Sequence, residues 1–226
     1  MKNILHLMQL TDSNLPTGAF SHSFGLETFV QHGFIKNTED FKSFLKGYID
    51  QLCFTDGLAT KLVYDALIKD HFEDIVETDT ILFCSNSAKE SRLGAQRIGQ
   101  QMLKLYQELY GGQNLERYAE AIRKKQCYGH PSICQSIALY DLEINLEMAI
   151  QTVLYTSCST IIQNAVRGIP LGQTDGQRML KFAIQECTTA VQRVLSLSKD
   201  VLGATAPLLE IKQMQHEQLH IRLFMS

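Results

Sequence analysis

Apolar residues recur at helical spacing along most of this chain, and that periodicity restricts the fold more than any other feature. Phe41, Phe44, Leu45, Tyr48, Ile49 and Leu52 step by three and one and form one helix face. Thr38 stands where a cap belongs, with Glu39 and Asp40 near the positive end of the helix dipole. A longer stripe runs through Leu142, Leu146, Ala149, Ile150, Val153, Leu154, Ile161, Ile162, Ala165 and Val166. It must stop before Pro170, with Gly168 as its terminator. Thr174-Asp175-Gly176-Gln177 fits a capping box and opens a third stripe through Leu180, Ala183, Ile184, Cys187, Val191, Val194 and Leu195. No strand-like alternation competes with these segments. The expected fold is all-α, a single-domain bundle of about eight to ten helices.

Punctuation is sparse. Leu15-Pro16-Thr17-Gly18 suits a type I turn, Gly111-Gly112 marks a connection, and Gly129-His130-Pro131 is a candidate divide between two halves of the bundle. No repeat, linker or charge block separates domains, so residues 1–226 are expected to form one unit. Residues 207–226 stand apart as a tail. Leu208, Leu209, Ile211, Met214, Leu219, Leu223 and Phe224 make it apolar enough to need a surface to bury against, on this chain or another.

Charge and composition exclude several function classes. Lys plus Arg number 21 against 24 Asp plus Glu, a net charge of -3, which removes the basic-domain signature of nucleic-acid binding. No stretch is apolar enough to span a membrane. The Ile4–Leu10 run, interrupted by His6 and Gln9, is too short for a secretory signal. Six cysteines at 53, 84, 127, 134, 158 and 187 read as reduced, buried thiols, and the cytoplasm is the expected compartment.

Four clusters resemble chemistry. His216-Glu217-Gln218-Leu219-His220 matches H-E-x-x-H, in which two histidines one helical turn apart bind zinc and the glutamate activates a water; a zinc hydrolase is therefore an alternative reading. Against it, a third ligand must come from far upstream. Cys127, His130 and Cys134 lack a fourth ligand and the paired C-x2-C spacing. Ser21, His22 and Asp12 suggest a hydrolase, but neighbouring helical residues point in different directions, and Ser21 better suits a helix cap. Gly168 to Gly176 resembles an anion-binding turn without the G-K-[ST] of a P-loop. None makes a convincing catalytic centre.

Taken in order, several segments resemble the urease accessory protein UreF family. Leu10-Thr11-Asp12-Ser13-Asn14-Leu15-Pro16-Thr17-Gly18-Ala19-Phe20-Ser21-His22-Ser23-Phe24-Gly25-Leu26-Glu27 is similar to the family's D-S-x-x-P-x-G-x-F-x-H-S-x-G-L-E stretch, and His130-Pro131 to its His-Pro turn. Arg167-Gly168-Ile169-Pro170-Leu171-Gly172-Gln173-Thr174-Asp175-Gly176-Gln177 resembles R-L-x-P-L-G-Q-x-x-G-Q. Pro207-Leu208-Leu209-Glu210-Ile211, then His216-Glu217, Leu219 and Arg222-Leu223-Phe224, resemble its C-terminal signature. Gly168 departs from an apolar position, and His220 from a common tyrosine.

The resemblance implies a dimeric, all-helical scaffold with no chemistry and no cofactor of its own. It implies binding to UreD (UreH in some systems), the GTPase UreG and apo-urease, in support of GTP-dependent nickel insertion. By the same resemblance the partner-binding candidates are His22, Ser23, Glu27, Arg167, Gln173, Gln177, Glu210, His216, Glu217, Leu219, Arg222, Leu223 and Phe224, those from Glu210 onward in the 207–226 tail, which contributes to the UreD contact. His22, Ser23 and Glu27 are expected on an exposed face, while Pro16, Gly18 and Gly25 shape the turn. An unrelated helical adaptor sharing the same turn chemistry remains the third reading.

Overall fold

The structure, a computed structural model, describes residues 3–168 and 171–226. Met1 and Lys2, and the Ile169-Pro170 pair of the Arg167–Gln177 motif, lie outside them. The described residues contain helices and no strand. In order these are α1 (Ile4–Leu10), α2 (Leu26–Gln31), α3 (Thr38–Leu52), α4 (Leu58–Lys69), α5 (Phe72–Ser85), α6 (Lys89–Leu109), α7 (Gln113–Arg123), α8 (Pro131–Asp141), α9 (Leu146–Gly168), α10 (Gln173–Ser196) and α11 (Pro207–Gln215). The fold is all-α, as the periodicity predicts.

Three helix starts differ from expectation, each for a local reason. Asn37 caps α3: its side chain accepts from the Glu39 and Asp40 N–H groups at 3.0 Å each. Asn37 is extended (φ -149°) and can aim back at those donors, whereas Thr38 is already helical. α9 starts at Leu146, because Leu142 closes α8 and Glu143 takes a left-handed φ of 57°. α10 starts at Gln173 with Gly172 as its cap residue, which puts Thr174 inside the first turn, and no side-chain cap forms. Ser21 ends a short 3-10 turn and caps nothing.

Two apolar clusters share α9. One gathers α4 to α8 around Ala149 and Val153. The other gathers α2, α3 and α10 around Ile150, Leu154, Cys158, Ile161, Ile162 and Ala165. A helix apolar on two sides has to be buried on both, and each such side chain contributes about 1.5–3 kcal/mol. The Gly129-His130-Pro131 turn lies inside the first cluster and does not divide the bundle. Its close packing on α6 depends on Gly99, where a Cβ would sit 2.0 Å from the Gly129 carbonyl oxygen. Cys84 is exposed, and the other five thiols are buried and unpaired. Among the described residues no helix is long and apolar enough to cross a membrane.

Candidate functional site

The site grows from a backbone turn. Phe24 (φ 48°) and Gly25 (φ 91°) both take left-handed conformations, which swing the chain into α2 and aim Ser23 and Glu27 inward. A side chain at Gly25 would also meet Gln213 of α11 at 2.9 Å. After α11 the chain makes a 3-10 turn over His216–Gln218 and leaves it extended at Leu219. The tail then lies along the Ser21–Glu27 segment. The Met225 N–H donates to the Ser21 carbonyl at 2.8 Å. The Ser23 and Phe24 N–H groups donate to the main-chain oxygen of Ser226 at 2.6 and 3.0 Å, joined by the Ser23 hydroxyl at 2.7 Å. The Leu223 and Phe224 N–H groups donate to the two Glu27 carboxylate oxygens at 2.7 and 3.2 Å.

His216 is fully buried behind this seam. Its Nδ1 lies 2.6 Å from Glu90 Oε2, and its Nε2 lies 3.1 Å from Glu27 Oε2. Arg222 donates to the other Glu90 oxygen at 2.7 Å. Burial alone would raise the Glu90 pKa; the hydrogen bonds from His216 and Arg222 overcome it and hold the carboxyl below its ordinary value. His22 packs on Phe24 with its Nδ1 2.8 Å from the Ser226 hydroxyl. Burial first, then the Arg97 and His216 charges, lower the His22 pKa against the opposing pull of Glu90.

The tail alternates as an extended segment does. Phe224 and Ser226 are buried, while Ile221, Leu223 and Met225 are 75%, 67% and 55% exposed. The Phe224 ring fits over Gly168, where a Cβ would come within 3.2 Å of it. The glycine that departs from the family pattern thus makes room for the tail. Arg167 lies over the Phe224 and Phe20 rings, 5.8 Å from each centroid, and donates to the Phe20 carbonyl at 3.0 Å.

The structure therefore brings together His22, Ser23, Glu27, Arg167, His216, Arg222, Leu223 and Phe224. His22, Ser23 and Glu27, expected on an exposed face, are buried, because the left-handed turn directs them at the tail. Leu219 is half-buried, and Glu217 and His220 face solvent. His216 and His220 do not share a helix, and both ring nitrogens of His216 are occupied by carboxylates. Among the described residues no group of three His, Cys, Asp or Glu side chains is placed to hold a metal ion. Gln173 and Gln177 are exposed on the first turns of α10, outside the tail network. Glu210 fastens α11 to the start of α6, accepting from the Ser87 N–H at 3.2 Å and the Thr205 hydroxyl at 3.1 Å. Glu210 and Arg167 line a cleft of about 340 Å³ that also takes in Asp12, His130, Gln135 and Asn164.

Sequence reasoning missed Glu90, Asn164 and Gly94. Asn164 donates to the His22 carbonyl at 2.7 Å, and a Cβ at Gly94 would strike the His22 ring at 2.7 Å. Glu90 looks like any surface glutamate of an amphipathic helix. Gly94 and Gly99 inside one helix were the available signal, since interior glycines mark close packing.

These features define a class: an all-helical protein whose buried ionisable groups fasten its own chain and leave a row of apolar side chains facing outward. A family model described as UreF matches residues 35–183. The urease accessory protein UreF of Bacillus sp. strain TB-90 is 47% identical over 227 residues, covering 100% of both chains. That of Lachnoclostridium phytofermentans is 44% identical over 224 residues, covering 99% of this chain and 98% of its own. The chain belongs to the UreF family of urease accessory proteins.

Proposed function

We propose that this chain is a non-catalytic scaffold of urease maturation in the cytoplasm, acting as a homodimer. It bridges UreD (UreH) and the GTPase UreG on apo-urease and supports GTP-dependent nickel insertion, with the tail as the UreD contact. Family membership supports the setting. The observation that carries the tail assignment is its outward row, Ile221, Leu223 and Met225, exposed on a segment whose backbone is already held in place. Covering these side chains is worth about 1.5–3 kcal/mol each before ordering costs, and a pre-seated backbone lowers those costs.

The test is light scattering after size exclusion of this chain mixed with UreD. Removing the whole tail would strip buried Leu209, Phe224 and His216 from the bundle, so the informative variant changes exposed positions alone: Ile221→Ser, Leu223→Ser and Met225→Ser together. The expected result is a stable complex with the parent chain and its loss with the triple variant, at unchanged helical circular dichroism. A complex that survives the triple substitution would place the UreD contact elsewhere.

A further inference from the structure

The cleft bordered by Arg167 and Glu210 has a wall whose hydrogen-bond donors are already spent. One face of α9 supplies Thr156, Thr160, Asn164 and Arg167 to it, about a helical turn apart. The Thr156 and Thr160 hydroxyls donate back to the Thr152 and Thr156 carbonyls at 2.9 and 3.1 Å, which leaves only lone pairs for the cleft. Gln135 of α8 donates its amide N–H to Thr156 Oγ1 at 2.9 Å, and Asn164 donates its own to the His22 carbonyl at 2.7 Å. Neither amide can be turned round, since the Thr156 hydrogen is committed and a carbonyl only accepts. Their oxygens are therefore the unspent ends, on side chains 2% and 0% exposed. Among the described residues, Asn164 Oδ1, Asn86 Oδ1 and the Tyr106 hydroxyl have no hydrogen-bond partner, and all three residues line this cleft. Between α3 and α4 the helix widens into a π-helical turn, Cys53–Gly57, a rare form often found at functional sites. It brings Thr55 and Asp56 to the cleft, with the Thr55 hydrogen spent on Asp56 Oδ2 or the Gln51 carbonyl.

A wall with acceptors left over fits a ligand made of donors, because a buried acceptor without a donor costs free energy. Charge points the same way. Asp12, Asp56 and Glu210 line the cleft against Arg167, whose guanidinium is engaged by the Phe20 carbonyl and by the Phe20 and Phe224 rings. Leu15, Phe24, Ile98, Met102 and Leu209 add an apolar surface. That combination suits an aliphatic stem bearing ammonium groups, and the volume of about 340 Å³ falls within the roughly 300–1,000 Å³ of small-ligand sites. Among the described residues no three His, Cys, Asp or Glu side chains are grouped to coordinate a metal ion. The spacing narrows the class further. Thr156, Thr160 and Asn164 repeat at intervals of roughly 6 Å along α9. Three or four methylene groups set two amines about 5–6 Å apart. We propose that this cleft binds a linear aliphatic polyamine, its ammonium groups donating to Gln135, Thr160 and Asn164 and its stem lying against the apolar surface.

Spermidine, three amines joined by a three- and a four-methylene link, is the probe. Titrated calorimetrically into the full chain at about 150 mM salt, where diffuse attraction is screened, it is expected to bind saturably, one to one. The shorter 1,3-diaminopropane covers a single interval and should bind at least about tenfold more weakly. Magnesium chloride should leave the spermidine affinity unchanged. Thr160→Val, isosteric on a half-buried face, should weaken spermidine roughly fivefold, and Gln135→Leu at least as much, with helical circular dichroism unchanged. No saturable heat with spermidine, equal affinity for the short diamine, displacement by magnesium, or unchanged affinity in Thr160→Val would each overturn the site. If Gln135→Leu loses helix, Thr160→Val decides alone. None of these readings depends on UreD binding, which the outward-face substitutions decide separately.

Discussion

Asp79 in α5 and Glu27 in α2 are both buried carboxylates, yet they do opposite things. Asp79 accepts from the Tyr118 hydroxyl and from the Tyr128, Gly129 and His130 N–H groups, the backbone three at 2.7, 3.0 and 2.8 Å. None of these donors loses its proton near neutrality; burial first, and the Asp79 charge second, hold the Tyr118 hydroxyl well above a phenol's ordinary value. Glu27 also accepts two backbone N–H groups, but its further partners are the Gln31 and His216 side chains. Asp79 is a rivet inside one apolar cluster, whereas Glu27 fastens the extended tail. Chain distance sharpens the contrast. Asp79 joins residues 39 to 51 positions away inside one cluster, and Glu27 reaches 189 to 197 positions to a segment with one face in solvent. Segments with few buried contacts open at low free energy, so the tail is the part of this network able to move.

The largest expected effect comes from removing the rivet. Asp79→Ala leaves the Tyr128 and Gly129 N–H groups without an acceptor, with the His130 N–H keeping only the Tyr118 hydroxyl, and should lower global stability by about 3–5 kcal/mol in a urea melt. A loss under about 1 kcal/mol would mean the turn finds other acceptors and the contrast is false. Gly99→Ala drives a methyl into the Gly129 carbonyl that Asp79 positions; overpacking there should cost about 2–4 kcal/mol by the same melt. Glu27→Ala should behave differently, moving the melt by no more than about 1 kcal/mol while amide exchange in residues 219–226 rises sharply. Equal losses for Asp79→Ala and Glu27→Ala would erase the distinction. Cys127 offers a finer probe, since burial, with Asp79 second, pushes its thiol up to about 12. It should resist Ellman's reagent in the parent and in Glu27→Ala, and react in Asp79→Ala. Arg222→Ala, which breaks a half-exposed ion pair, should cost no more than about 1 kcal/mol.

Much of the fold is readable from local pattern. The stripes on α3, α9 and α10 follow from side-chain period alone, and the tail's need for cover follows from its apolar count. Cap positions were legible only to within a residue: Asn37 and Thr38 are both good caps, and the choice rests on which one is extended. The site was half legible. His216, Glu27 and Phe224 belong to motifs that resemble the family's, but nothing near them in sequence identifies Glu90, Asn164 or Gly94 as their partners.

By itself the sequence determined the all-helical class, the order of its long helices, the slightly acidic net charge and the family. These depend on periodicity, composition and short motifs, all of which act over a few residues. Only the tertiary structure decided that His22, Ser23 and Glu27 face inward, that Gly168 seats Phe224, and that the apparent zinc histidine is flanked by two carboxylates. Those outcomes depend on contacts between residues far apart in the chain, as between His216 and Glu90 (126 apart) or Glu27 (189 apart), and no local pattern encodes which distant side chain completes a charge.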